Sequence, residues 1–126
     1  MCVNTVLELT QHDEDLECIF DFGAGKGDIG RRLVSAGLRN LYGHDGSLAK
    51  KTSLMKQGSY REVTTYIVGK QNLPKQLKRK FDVVTCSENL GTHQFPAKCF
   101  EDMISALKPR GYAVFTVATK HLNADS

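Results

Sequence analysis

What is missing from this chain of 126 residues narrows its class before any motif is read. It has no apolar run near the ~18 residues that a membrane span needs, which excludes a transmembrane helix. The amino terminus lacks the basic start and long apolar core of a signal peptide. After Met1-Cys2-Val3-Asn4-Thr5 it turns acidic at Asp13-Glu14-Asp15, so the expected location is cytoplasmic. The four cysteines, Cys2, Cys18, Cys86 and Cys99, lack any C-x-x-C pairing and read as reduced thiols, which leaves neither a zinc site nor a disulfide framework. No one sign of charge dominates: 17 basic against 14 acidic residues give a net +3, too mild by itself to imply nucleic acid. Repeats and low-complexity tracts are lacking too. With 40% hydrophobic and 25% charged residues, the composition is that of an ordinary globular protein, and one domain over residues 1–126 is expected.

What is there alternates between short strand-like runs and helical patterns, the signature of a parallel sheet covered by helices. A leading helix over 3–10 has a poor period. Cys18 to Phe22 reads as a buried strand ending in glycines. Asp28 to Ala36 places Ile29, Leu33 and Val34 on one helical face and stops at Gly37. Leu41 to Asp45 reads as a second strand with an acidic end. Ser47 caps a helix carrying Leu48, Leu54 and Met55 that ends near Gly58. The β-branched run Val63–Val68 predicts a third strand, Phe81–Cys86 a fourth and Gly111–Ala118 a fifth. Between the last two, Ala97–Leu107 sets Phe100, Met103, Ile104 and Leu107 on one stripe before Pro109.

The strongest local signal is Asp21-Phe22-Gly23-Ala24-Gly25-Lys26-Gly27, set between a strand and a helix. Glycines there let backbone approach a ligand with no Cβ in the way, and the free N–H groups at the helix start face the same space. Gly25, Gly27 and Gly30 do spell the G-x-G-x-x-G of nicotinamide folds. That fingerprint, however, starts its first glycine at the strand end, and counted from Gly23 the third position is Asp28, a carboxylate that would face a pyrophosphate. The P-loop pattern G-x-x-x-x-G-K-[ST] is absent. Asp45, 24 positions after Asp21, ends the second strand where an acid accepts hydrogen bonds from ribose hydroxyls.

Over Cys18 to Thr119 the residues resemble the class I S-adenosylmethionine-dependent methyltransferases, through DFGAGKG, GHDGS with LMKQGSY, VGKQNLP, FDVVTCSENL and LKPRGYAVFTV in order. The GHDGS segment is similar to the methyltransferase-like group named for the Williams–Beuren syndrome region. The resemblance implies an α/β Rossmann-like sheet of about five mainly parallel strands flanked by helices, without the last two strands of the usual seven. It implies S-adenosylmethionine as cofactor and S-adenosylhomocysteine as product. Asp21, Gly23, Ala24, Gly25 and Gly27 would line the methionine part and ribose, and Asp45 would hold the ribose hydroxyls. His44 and Gly46 would flank the adenosine. Relatives often have an aspartate where this chain has Lys70, so the carbonyl oxygen of Gln71 would serve the adenine. Ser87, Glu88 and Asn89 would face the transferred methyl group. Relatives also have Lys-Pro-Gly-Gly where this chain has Lys108-Pro109-Arg110-Gly111.

Methyl transfer from a sulfonium needs alignment more than acid–base machinery, so Glu88 and His93 are the candidates for a catalytic role. Lys75, Lys78, Arg79 and Lys80 read as a solvated connector, with no aromatic residues interleaved for nucleic-acid stacking. A small-molecule acceptor is therefore favoured over nucleic acid or a membrane. A fifth strand at the sheet edge offers a homodimer contact. Cofactor binding without catalysis and a nicotinamide-dependent oxidoreductase are the rival readings.

Overall fold

The computed structural model describes residues 5–8, 18–86 and 97–115. Residues 5–8 form a helical turn within the span expected for the leading helix. The sequence then builds β1 (Ile19–Phe22), α1 (Asp28–Ser35), β2 (Leu41–His44), α2 (Leu48–Gln57), β3 (Glu62–Thr64), a short 3-10 turn (Lys75–Leu77), β4 (Phe81–Cys86), α3 (Ala97–Ala106) and β5 (Leu107–Phe115). The strands lie in the order β3-β2-β1-β4-β5, and every pairing is parallel. This is the five-stranded Rossmann-like sheet expected from the alternation of patterns.

β1 and β4 are central, so both of their faces are covered and every residue in them is buried. On one face Ile19, Leu41, Val63, Val83 and Val114 pack with Ile29, Leu33, Leu54 and Tyr60. On the other, Phe20, Phe22, Val84 and Cys86 pack with Tyr66, Leu77, Met103 and Ala106. Within that second layer Phe20 stacks on Phe81, with ring centroids 4.6 Å apart.

The helix ends follow from their capping residues. Ser47 Oγ accepts from Lys50 N–H at 3.4 Å at the start of α2, and Gly58 ends it with a left-handed φ of +82°. Three expectations are corrected, the start of the fifth strand being the last. The third strand stops at Thr64, because the Tyr66 carbonyl turns away to His44 and residues 67–71 fold into a turn held by Ile67 and Gln71. The inward stripe of α3 is Asp102, Met103 and Ala106, whereas Phe100 and Ile104 are 44% and 59% exposed. An apolar count selects Phe100 over Asp102. Yet Asp102 is buried because Tyr66 Oη donates to it at 2.9 Å and Lys98 Nζ lies 3.4 Å away.

β5 starts directly at Leu107, ahead of the expected start at Gly111, so that Leu107 and Pro109 belong to the strand, and its register against β4 shifts between Phe81 and Val83. Lys108-Pro109-Arg110-Gly111 forms that irregularity, with Arg110 at φ +73°. Cys18, Cys86 and Cys99 are free thiols, and burial pushes Cys18 and Cys99 up from the ordinary thiol value. Among the described residues, no helix is long and apolar enough to cross a membrane.

Candidate functional site

Because the strands are parallel, the segments that follow β1, β2 and β4 leave the sheet along one edge. The chain runs from β1 outward to β3, then restarts at β4 on the other side of β1. A reversal of this kind leaves a crevice outside the carboxyl ends of the strands. The glycine loop Gly23–Gly27 occupies it.

Gly23, Gly25 and Gly27 all take left-handed φ values, +64°, +60° and +80°. These conformations curl the loop so that Gly27 caps α1. A Cβ on Gly23 would meet nothing within 4 Å, so this end of the loop opens to a ligand. Gly27 differs. It is buried, and a Cβ there would come within 2.9 Å of Leu54 Cδ2 and would strike the Gln57 amide, whose Nε2 donates to the Gly27 carbonyl at 3.2 Å. The last glycine of the loop thus serves packing against α2.

The end of β2 pins the loop from the side. His44 Nδ1 accepts from Gly23 N–H at 3.1 Å, which places the ring proton on Nε2, and Nε2 donates to the Tyr66 carbonyl at 3.1 Å. The His44 backbone carbonyl accepts from Ala24 N–H at 2.7 Å. The ring is buried, stacked on Phe22 with centroids 4.4 Å apart, and burial holds its pKa below the ordinary histidine value. His44 is therefore a neutral strut beneath the loop, with both ring nitrogens bonded to backbone. Asp45 is half-buried. Its Oδ2 accepts from Gly25 N–H at 3.2 Å and its Oδ1 from Ser47 N–H at 3.0 Å. A carboxylate has about four lone-pair sites, so acceptor capacity is left on each oxygen. Gly46, next to it, is exposed.

Asp21 lies below the loop at 2% exposure, on the face opposite His44. Tyr60 Oη donates to its Oδ2 at 2.6 Å and Thr85 Oγ1 to its Oδ1 at 3.0 Å. Tyr60 reaches it by lying across two glycines. A Cβ on Gly30 would come within 2.6 Å of the phenol, and one on Gly43 within 3.1 Å of the ring. Gly30, the third glycine of the apparent G-x-G-x-x-G, thus makes room for a tyrosine. Burial, reinforced by Asp21, raises the Tyr60 pKa above the ordinary phenol value, so the group remains a donor.

The Tyr60–Asp21–Thr85 unit is absent from the sequence expectations; the signal available was a tyrosine following α2 opposite two glycines. Gln71 is exposed, and its carbonyl oxygen accepts from Ile67 N–H at 2.8 Å, closing its own turn. The expected adenine contact through that oxygen has this turn as its competitor. Ser87, Glu88 and His93 lie outside the described residues. The structure therefore brings together Asp21, Gly23, Ala24, Gly25, Gly27, His44 and Asp45.

The sequence profile of a family described as a methyltransferase domain matches residues 2–126. No curated protein matches the chain. Among solved structures, an S-adenosylmethionine-dependent methyltransferase from Mesorhizobium loti is 25% identical with a TM-score of 0.64, covering 79% of this chain and 46% of its own. The sugar N-methyltransferase KedS8 from Streptoalloteichus is 17% identical with a TM-score of 0.72, covering 92% and 47%. The trans-methyltransferase CalH, solved with S-adenosylhomocysteine, is 18% identical with a TM-score of 0.68, covering 87% and 34%. The chain spans about half the length of the first two, or less.

Proposed function

Since the chain belongs to the methyltransferase-domain family, we propose that it binds S-adenosylmethionine at the glycine loop and transfers its methyl group to a small-molecule acceptor, leaving S-adenosylhomocysteine. The observation that carries this reading is the junction of the left-handed glycine loop with the half-buried Asp45 carboxylate at the point where the strand order reverses.

The residues present fit the cofactor. Gly23 has open space where a side chain would stand, which permits close approach of backbone to the ligand. Asp45 keeps acceptor capacity for ribose hydroxyls while its other lone pairs hold Gly25 and Ser47. Asp21 beneath the loop and Asp45 beside it suit a ligand bearing sulfonium and ammonium charges, and oppose a pyrophosphate. When bound, S-adenosylmethionine supplies a methyl group that its sulfonium makes electrophilic.

The chain's own contribution is orientation. His44 and Asp45 fix the amides of Gly23, Ala24 and Gly25, so the loop is set before the ligand arrives. Gly46 is the exposed residue at the adenosine side. Ser87, Glu88 and His93 are assigned to the acceptor side from the sequence resemblance alone. The GHDGS segment supports placement near the Williams–Beuren-type group. β5 forms one end of the sheet, with Tyr112 46% exposed, and a homodimer through that edge is part of the proposal.

Calorimetric titration with S-adenosylmethionine, S-adenosylhomocysteine and NAD tests the cofactor, and transfer of a labelled methyl group to extracts tests the reaction. Saturable binding of both adenosyl-sulfur ligands is expected. Binding of NAD alone would overturn the reading, and cofactor binding without transfer would select a non-catalytic module. Sedimentation analysis tests the dimer.

A further inference from the structure

The edge of the sheet opposite the glycine loop gathers the amino-terminal ends of all five strands, and cations collect there. Arg39 precedes β2, Arg61 precedes β3, Lys78, Arg79 and Lys80 precede β4, and Arg110 sits in the irregular start of β5. Among the described residues, the one ion pair on this edge joins Lys108 to Asp82 at 3.3 Å. Lys80 lies 4.7 Å from the Tyr42 ring centroid. Arg39 and Arg61 have no carboxylate partner among the described residues.

These two arginines line a cleft of about 360 Å³ whose other walls are Gly37, Leu38 and Asn40. No acid lines it. Glu62, next to Arg61 in sequence, is exposed on the edge strand β3, where it pairs in register with Tyr42, and it does not line the cleft. The cleft is also braced. Arg61 N–H donates to the Leu41 carbonyl at 2.8 Å, and Arg61 Nη1 donates to Asn40 Oδ1 at 3.0 Å. That bond orients the guanidinium through a neutral partner, so among the described residues its positive charge is not matched by a carboxylate. Leu38 N–H, bonded to the Leu33 carbonyl at 3.0 Å, fixes the opposite wall at the end of α1.

We propose that this cleft binds a phosphate group. Guanidinium groups present a planar fork of donors that matches tetrahedral oxyanions in bidentate fashion. Two of them in one cleft, with Lys78, Arg79 and Arg110 along the same edge, favour a doubly charged oxyanion over a single carboxylate. The site stands apart from the glycine loop, at the other end of the strands, and does not depend on what that loop binds. The phosphate can belong to a small phosphate ester or to a phosphodiester backbone, and the basic row beyond the cleft would contact only the second.

The test uses the whole chain labelled with nitrogen-15. Inorganic phosphate and pyrophosphate are titrated at constant ionic strength, following the amides of Gly37 to Asn40 and of Arg61. Saturable shifts confined to those amides are expected, with the amides of Gly23 to Gly27 unmoved. Arg39→Gln and Arg61→Gln should each weaken binding tenfold or more while leaving the thermal midpoint of the unliganded protein unchanged. No saturable shift, shifts reproduced by chloride, or parental affinity in both variants would overturn the proposal. A short single-stranded oligoribonucleotide forms the second arm. Binding that needs both arginines and also weakens in Lys78→Gln and Arg79→Gln assigns the phosphate to a nucleic-acid backbone. Competition by pyrophosphate but no oligonucleotide binding assigns it to a small ester.

Discussion

Replacing Tyr60 with Phe removes one oxygen and leaves the ring that fills the space against Gly30 and Gly43. The lost interaction is a 2.6 Å hydrogen bond from a buried phenol to a buried carboxylate. A hydrogen bond to a charged group contributes about 1.5–3 kcal/mol. With Thr85 still donating to the other oxygen of Asp21, the expected loss is about 2 kcal/mol. Urea unfolding at pH 7 measures it: for an m-value of about 1.5 kcal/mol/M the midpoint should fall by roughly 1.3 M with the slope unchanged. A midpoint within about 0.3 M of the parent would refute the reasoning, because the bond would then be no stronger than the water contacts it replaces. A second readout is the pH dependence of the same unfolding. Burial raises the pKa of both Tyr60 and Tyr66 above the ordinary phenol value of 10.0. Their stabilisation is complete below that value and is lost as pH rises above it, so the stability of the parent should decline past pH 10 more steeply than that of the Phe variant.

His44 has its pKa lowered from 6.5 by burial, so its contribution is present above that value and is lost as pH falls toward the folded-state value; stability measured between pH 7 and pH 5 should decline, and His44→Ala should flatten the decline. Gly27→Ala meets both a left-handed φ and the Leu54 side chain, so thermal or urea unfolding should show a loss of about 1–2 kcal/mol. Arg110→Gly removes a left-handed non-glycine residue and should raise stability by about 0.5–1 kcal/mol, read in the same assay. Asp45→Ala removes the proposed ribose acceptor and should weaken S-adenosylmethionine binding by about 1–3 kcal/mol in calorimetry, with unchanged affinity refuting that placement.

How far the sequence reveals this molecule depends on whether a signal is local. β1 and β4 are short apolar runs buried on both faces, and their bounds are legible to within a residue. The glycine loop and Ser47 are equally plain, because caps and left-handed turns restrict residue type. The misreadings arise where distant groups decide. Val63–Val68 has strand propensity throughout, yet the His44 ring takes the Tyr66 carbonyl and the ladder ends at Thr64. Asp102 reads as a surface acid until Tyr66, 36 positions away, supplies its buried partner. Of the candidate site, the turns of the backbone loop and the place of Asp45 at the end of β2 were legible. The neutral state of His44 and the link from Tyr60 to Asp21 were not, since each depends on pairing between residues more than twenty positions apart.

The reversal in strand order also bears on how the chain assembles. β1 to β3 and β4 to β5 each pair strands that follow one another in sequence and can organise as separate halves, whereas zipping β4 onto β1 closes a separation of 64 residues. That seam carries the bond from Thr85 to Asp21 directly under the glycine loop. The strand that carries the loop thus also carries the tie between the two halves of the sheet.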